Sequence, residues 1–172
     1  ITNLSFNQIN GGSIEVDVVK KSSKYKECKD LINWVLESEH VNQYNEIKKH
    51  KSFYNECLNH KKLLKKLLVT LKKQNKKVVG YGASTKGNVL LQFCGINSKI
   101  INNIAEVNKY KFNRYTPGSK IKIVSEKSVK LKKPDYMLVL PWHFKDYIVK
   151  RERDFLKKGG KLIFPLPEIE IV

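Results

Sequence analysis

Lys77-Val-Val-Gly-Tyr-Gly-Ala-Ser-Thr-Lys-Gly-Asn-Val-Leu-Leu91 is the stretch on which the fold of this 172-residue chain turns. A short β-branched run, Val78-Val79, feeds a loop carrying Gly80, Gly82 and Gly87, and an apolar helical segment follows. Strand, glycine loop and helix in that order are how α/β proteins build an anion pocket. The first amides of a helix lack internal partners and sit at the positive end of its dipole. Glycines let the backbone turn tightly and approach a phosphate. Ser84, Thr85 and Lys86 add two hydroxyls and a cation beside those amides. Such a loop suits a nucleotide or a phosphorylated sugar. The same glycines also suit a strand–helix corner that needs only close packing.

Two standard fingerprints are excluded by spacing. The dinucleotide pattern G-x-G-x-x-G needs glycine at position 85, where Thr85 stands; the P-loop needs Gly-Lys-Ser/Thr, and here Lys86 precedes Gly87. Working outward, the residues from 76 onward alternate strand and helix patterns. Strands are predicted over 78–81, 100–105, 121–124, 136–140 and 161–164, with helices near 87–94, 126–131 and 144–156. Pro134-Asp135 and Gly159-Gly160 punctuate the last two strands. Short connections imply right-handed crossovers and a parallel sheet covered on both faces. The expected class is α/β: a Rossmann-like parallel sheet of about five strands with helices on both faces, preceded by a helical segment. On that basis residues 1–75 form a strand and long-helix segment, and residues 76–172 the ligand-binding domain.

Ahead of the sheet, Ser13–Val19 alternates like a half-buried strand with no evident partner. Helices are predicted over 25–38 and 43–74. In the second, Ile47, Tyr54, Leu58, Leu64, Leu67, Leu68 and Leu71 share one face and lysines cover the other, the usual pattern of a solvated side.

Ligands of such sheets bind beyond the carboxyl ends of the strands. Those ends collect Tyr81, Gly82, Ala83, Ser84, Thr85, Lys86, Gly87 and Asn88 after the first strand. Glu106, Asn108 and Lys111 follow the second, and Trp142 and His143 follow the fourth. Glu106 lies about 25 residues past the glycine loop, where an acid accepts hydrogen bonds from ribose hydroxyls in dinucleotide folds; an ordinary surface glutamate is the other reading. Tyr115 sits in the turn Arg114-Tyr-Thr-Pro-Gly118, where it reaches the ligand or shapes the loop. Indole at 142 can stack on a base or sugar, and imidazole at 143 can meet a phosphate or move a proton; the same pair equally suits a packed aromatic and a residue at a helix start.

Lys+Arg 34 against Asp+Glu 16 gives a net charge of +18. Only three of those cations are arginines (Arg114, Arg151 and Arg153) and the lysines are spread along the chain. That argues against base readout of nucleic acid, which favours arginine, and for attraction of small anionic ligands. Cys28, Cys57 and Cys94 are far apart, so neither a disulfide framework nor a zinc site is expected, and a reducing, cytoplasmic setting is. His40, His50 and His60 have no partners at ligand spacing, so no metal is expected. No apolar run has the length of a membrane span. A chain opening on Ile1 reads as part of something longer.

Gly80-Tyr-Gly-Ala-Ser-Thr-Lys-Gly-Asn88, Arg114-Tyr-Thr-Pro-Gly118, Pro134-Asp-Tyr136, Leu140-Pro-Trp142 and Gly159-Gly160 together resemble the C-terminal domain of sugar (NDP-hexose) C-methyltransferases, and Asn10-Gly-Gly-Ser13 resembles that family's His-Gly-Gly-Ser segment. The resemblance implies a three-part parent: a zinc domain, a domain binding S-adenosylmethionine, and this domain closing over a nucleotide-linked keto-deoxysugar. It implies that Ser84, Thr85, Lys86 and Asn88 hold the diphosphate or sugar, with Trp142 and His143 in the same cleft. Catalysis and the methyl donor would belong to the missing N-terminal methyltransferase domain. The chain departs from the family at Asn10, where relatives carry His, and at Glu106-Val107, where they carry Asp-Arg. A stand-alone nucleotide- or partner-binding module and a nicotinamide-linked enzyme are the competing expectations, the latter disfavoured by Thr85.

Overall fold

The computed structural model describes residues 1–172, which fall into two compact units, Ile1–Cys57 and Leu58–Val172. In the first, strands β1 (Asn3–Asn7) and β2 (Ser13–Asp17) form an antiparallel hairpin in which Leu4 faces Val16 and Phe6 faces Ile14. The partner of the 13–17 strand is thus the segment just before it. Its Asn-rich alternation conceals it, because asparagine is depleted in strands. Helix α1 (Lys29–Val41) sets Trp34 edge-on to Phe6 with ring centroids 6.3 Å apart. No residue of this unit is fully buried.

Helix α2 (Ile47–Lys73) starts in the first unit and ends in the second. Leu64, Leu68 and Leu71, spaced four and three apart, are buried, whereas Ile47 and Tyr54 on the predicted apolar face are exposed. The helix is amphipathic only where a sheet lies beneath it.

The second unit is a six-stranded, mostly parallel sheet in the order β5-β4-β3-β6-β7-β8. Its strands are β3 (Val78–Tyr81), β4 (Asn103–Glu106), β5 (Lys122–Ser125), β6 (Tyr136–Val139), β7 (Lys161–Phe164) and β8 (Glu170–Ile171). The first five are parallel, and β8 adds one short antiparallel edge strand to the five read from the sequence. Helices α3 (Thr85–Cys94), α4 (Glu126–Leu131), α5 (Lys145–Arg151) and α6 (Arg153–Lys157) complete it. Strand alternation splits the core in two. Leu138 and Leu140 pack with Leu64, Leu68, Leu91 and Ile104 on one face. Met137 and Val139 pack with Val129, Ile148, Leu162 and Phe164 on the other. No helix is long and apolar enough to cross a membrane.

Several boundaries depart from the sequence expectation: α1 covers Lys29–Val41 rather than 25–38, α2 starts at Ile47 rather than 43, β2 ends at Asp17 rather than 19 and α3 starts at Thr85 rather than 87. The strand predicted at 100 begins at Asn103, because the amides of Ile100 and Ile101 close a turn on the Asn97 carbonyl. The third strand is shifted one residue, to Lys122–Ser125. The helix predicted over 144–156 is broken at Glu152, which has φ −94° and ψ 19°. The Glu152 side chain is drawn inward to the Tyr81 hydroxyl, a tertiary bond that no local pattern announces.

Leu68→Ala is expected to destabilise the sheet unit by about 2–5 kcal/mol, the cost of a cavity in a packed core. On the same helix the half-exposed Leu63→Ala should cost about 0.5 kcal/mol or less. Urea denaturation of both variants checks the contrast.

Candidate functional site

The chain leaves β3 towards β4 and β5 on one side and later crosses to β6 on the other, so the strand order diverges at the β3/β6 pair. The carboxyl ends of those strands carry the glycine loop and the Leu140-Pro-Trp-His143 segment. Gly82 has φ +77°, and a Cβ there would lie 2.8 Å from Pro141 Cδ, so the turn and the close approach both require glycine. The other two glycines serve packing: a Cβ at Gly80 would meet Ile104 Cγ1 at 2.6 Å, and one at Gly87 would meet Leu140 Cβ at 2.6 Å.

Ser84 caps α3. Its hydroxyl accepts from the Gly87 amide at 3.0 Å and donates to the Leu140 carbonyl at 3.3 Å. The cap ties the loop to the end of β6 and points the positive end of the helix dipole out of the sheet edge. Thr85 and Lys86 lie in the exposed first turn. One turn on, Asn88 carries a buried Oδ1 without a hydrogen-bond partner.

Glu106 is 8 % exposed and is spent on the protein itself. Its Oε1 accepts from the amides of Val107 at 2.8 Å and Asn108 at 3.0 Å. Its Oε2 accepts from the Ala83 amide at 3.0 Å and faces the Lys111 ammonium at 3.4 Å. Lys111 also donates to the Ala83 carbonyl at 2.9 Å. Ala83 is therefore gripped at both backbone polar atoms. Burial pushes the Glu106 carboxyl up, but the Asn108 and Val107 amides, the Lys111 charge and the Ala83 amide outweigh it, so the group titrates below its ordinary value.

His143 follows Trp142 in a 3-10 turn, Trp142–Phe144, edge-on to the Trp142 ring at 5.9 Å and tilted against Phe144 at 4.3 Å. Its Nδ1 is buried and lacks a partner. Burial, and after it the Lys86 charge, hold the imidazole below its ordinary pKa of 6.5, so it is neutral at pH 7.

The sequence-derived residues fall into two neighbouring groups. Tyr81, Gly82, Ala83, Ser84, Glu106 and Lys111 line a cavity of about 280 Å³ at the sheet edge. Trp142 and His143 stand at the end of β6, with His143 in the field of Lys86. Asn108 and Tyr115 join neither group. Asn108 caps the turn Lys109–Lys111 by accepting from the Tyr110 amide, and the exposed Tyr115 bridges to Lys122.

The far wall of the cavity was not read from the sequence. It comprises Phe144, Tyr147, Ile148 and Arg151, at helical spacing i, i+3, i+4 and i+7. That spacing, wholly inside the helix expected over 144–156, was the available signal. Behind the wall lies a charge network. Tyr81 donates to Glu152 Oε1 at 2.7 Å and accepts from Arg151 Nη1 at 2.7 Å. Arg151 also pairs with Glu126 at 2.7 Å, and Lys130 joins Glu126 and Glu152, each at 2.7 Å. Burial, then the Glu152 hydrogen bond, drives the Tyr81 phenol far above its ordinary pKa, so it stays a neutral donor.

Residues 8–167 match the C-methyltransferase C-terminal domain family, and the chain belongs to that family. It is similar to the C-methyltransferase NovU of Streptomyces niveus, at 30% identity over 164 residues that make up 95% of this chain and 39% of that protein. The chain thus spans well under half the length of that relative.

Glu106→Gln replaces an acceptor by a donor facing amides, and is expected to cost about 1–3 kcal/mol at pH 7. Because the folded-state pKa is lowered, this contribution is complete above the ordinary value of 4.5 and is lost as pH falls through the depressed value. Thermal melts of both proteins at pH 7 and in acid should show the gap closing.

Proposed function

We propose that this chain is the substrate-binding domain of an S-adenosylmethionine-dependent C-methyltransferase acting on a nucleotide-linked keto-deoxysugar, and that it is not catalytic alone. On this reading residues 76–172 form a Rossmann-like domain, residues 1–75 connect it to the methyltransferase domain, and the enzyme works in the cytoplasm. The observation that carries the proposal is the sheet edge between α3 and the end of β6. There the Ser84-capped N-terminus of α3 carries Lys86, and His143, at the end of β6, lies in the field of that cation. Thr85, Lys86 and the first-turn amides hold the diphosphate, and Asn88 and His143 take up sugar or phosphate oxygens. Glu106, Asn108 and Lys111 act through the loop they hold, and Tyr115 through its turn. The contribution to rate is orientation of the keto sugar, since holding a reactant in place removes part of its entropic barrier.

The methyl donor does not fit this loop. An adenosyl ribose is held by a carboxylate with free acceptor positions, and Glu106 has none to spare. The Lys86 charge at the start of α3 also disfavours a sulfonium cation and favours a diphosphate. The saturated Glu106 counts equally against a nicotinamide dinucleotide. Methyl transfer, with deprotonation beside the keto group, falls to residues outside this chain.

Titration calorimetry with dTDP- and UDP-hexoses is expected to give binding that Lys86→Ala weakens about 10-fold, the loss of one charge-assisted contact. A phosphate beside His143 raises its lowered pKa, so binding near pH 6 should take up protons, seen as a dependence on buffer ionisation heat. No binding of any nucleotide sugar would overturn the proposal.

A further inference from the structure

The amino ends of the parallel strands hold a second cavity, of about 630 Å³ against about 280 Å³ at the carboxyl ends. It lies wholly within the unit Leu58–Val172, and no residue of the glycine loop or of the segment 141–143 lines it. Its walls include the buried Val129 and Pro134 and the half-buried Val78, Val79 and Val124. Its charged lining has one sign. Lys72, Lys76, Lys77 and Lys132 bring four ammonium groups, Asn75, Asn102 and Asn103 add carboxamides, and neither Asp nor Glu is among the lining residues.

The imbalance begins in the sequence, because between Glu56 and Glu106 the chain carries ten lysines and neither Asp nor Glu. Lysines at helix ends ordinarily answer the dipole, and Lys72 in the last turn of α2 and Lys132 just after α4 stand there. Two helix ends offer about half a negative charge each, against four ammonium groups. Lys72 also donates to the Lys99 carbonyl. Lys76 and Lys77 lie past the end of α2. The protein's ion pairs take Lys111, Lys130, Lys145 and Arg151, so Lys76, Lys77 and Lys132 have no carboxylate partner. Asp135, beside the Pro134 wall, accepts from the Lys77 amide at 2.7 Å instead. Cations gathered without a counter-charge repel one another, and a bound anion relieves that repulsion.

We infer that this cavity is a second anion site, which takes a small organic phosphate. The apolar body of the ligand seats against Val79, Val124 and Val129, and its phosphate meets Lys76, Lys77 and Lys132. Lysine serves phosphate as a point charge, whereas bidentate carboxylate recognition favours arginine, and no arginine lines the cavity. The volume falls within the roughly 300–1,000 Å³ of small-molecule pockets, which pair apolar walls with a few polar groups. Val78 in this cavity and Gly82 in the other stand at opposite ends of β3, about 13 Å apart at 3.3 Å per residue. The site is therefore separate from the glycine loop and does not depend on what that loop holds.

The test is titration of the nitrogen-15-labelled chain with para-nitrophenyl phosphate, inorganic phosphate and neutral para-nitrophenol, followed through the backbone amides by NMR. The phosphate ester is expected to shift the amides of residues 75–79, 102–103 and 128–133, and to bind more tightly than either fragment. Lys76→Gln and Lys132→Gln, both at exposed positions, should each weaken it about 10-fold as read from those amides, the loss of one charge-assisted contact. Lys62→Gln and Lys86→Gln, outside the cavity, should leave that affinity unchanged, and the dispersion of each variant's spectrum shows that it folds. Equal weakening by Lys62→Gln would mean a diffuse field of the basic chain and overturns the site. Shifts confined to residues 82–88, inorganic phosphate binding as tightly as the ester, or no binding by the native chain also overturn it.

Discussion

The grip of Glu106 and Lys111 on Ala83 is the contact on which the sheet edge depends. A loop leaving a central strand has no ladder to hold it, and this one must turn at Gly82 and start a helix within three residues. The neighbouring strand supplies the missing ladder through a side chain. Glu106 takes the Ala83 amide and Lys111 the Ala83 carbonyl, so the loop is bonded as though β4 continued past its end. The cap at Ser84, the exposure of Lys86 and the shape of the cavity all follow from where Ala83 is held. An acid so fully used also decides what the site does not do. It cannot receive a ribose diol, which separates this edge from the nucleoside-cofactor sites that the same topology often carries.

A second constraint operates beneath the cavity. Tyr81 ends β3 on the face opposite α3, and its hydroxyl reaches Glu152, which is 1% exposed. A buried carboxylate is tolerated only when its lone pairs are occupied, and Tyr81 and Lys130 occupy them. The consequence is structural: the segment after β6 breaks at Glu152 into two short helices rather than running on as one. That break fixes α5 with Tyr147 and Arg151 at the rim, and so shapes the cavity wall from behind.

Much of this was legible from the residues. Val78–Tyr81 and Lys161–Phe164 have the β-branched and aromatic content that marks buried strands, and Leu64, Leu68 and Leu71 carry the helical period of a packed face. The strand–loop–helix order located the sheet edge that carries the candidate site. Less legible was the division of labour among its residues. Gly80 and Gly87 looked like phosphate-binding glycines, yet each faces a side chain that a methyl group would strike. Glu106 looked like a free acceptor because sequence shows a carboxylate without its donors. The 3–7 strand went unseen because hairpin pairing, not residue preference, makes it a strand.

Sequence by itself determined that the chain is an α/β protein with a parallel sheet, a glycine turn at its central strand and a cationic helix start. Those are properties of local period, glycine freedom and charge, all written along the chain. Only the tertiary structure decided which polar groups remain open at that edge. Availability for a ligand is what is left after the protein's own hydrogen bonds are made, and those bonds join residues 23 and 71 positions apart.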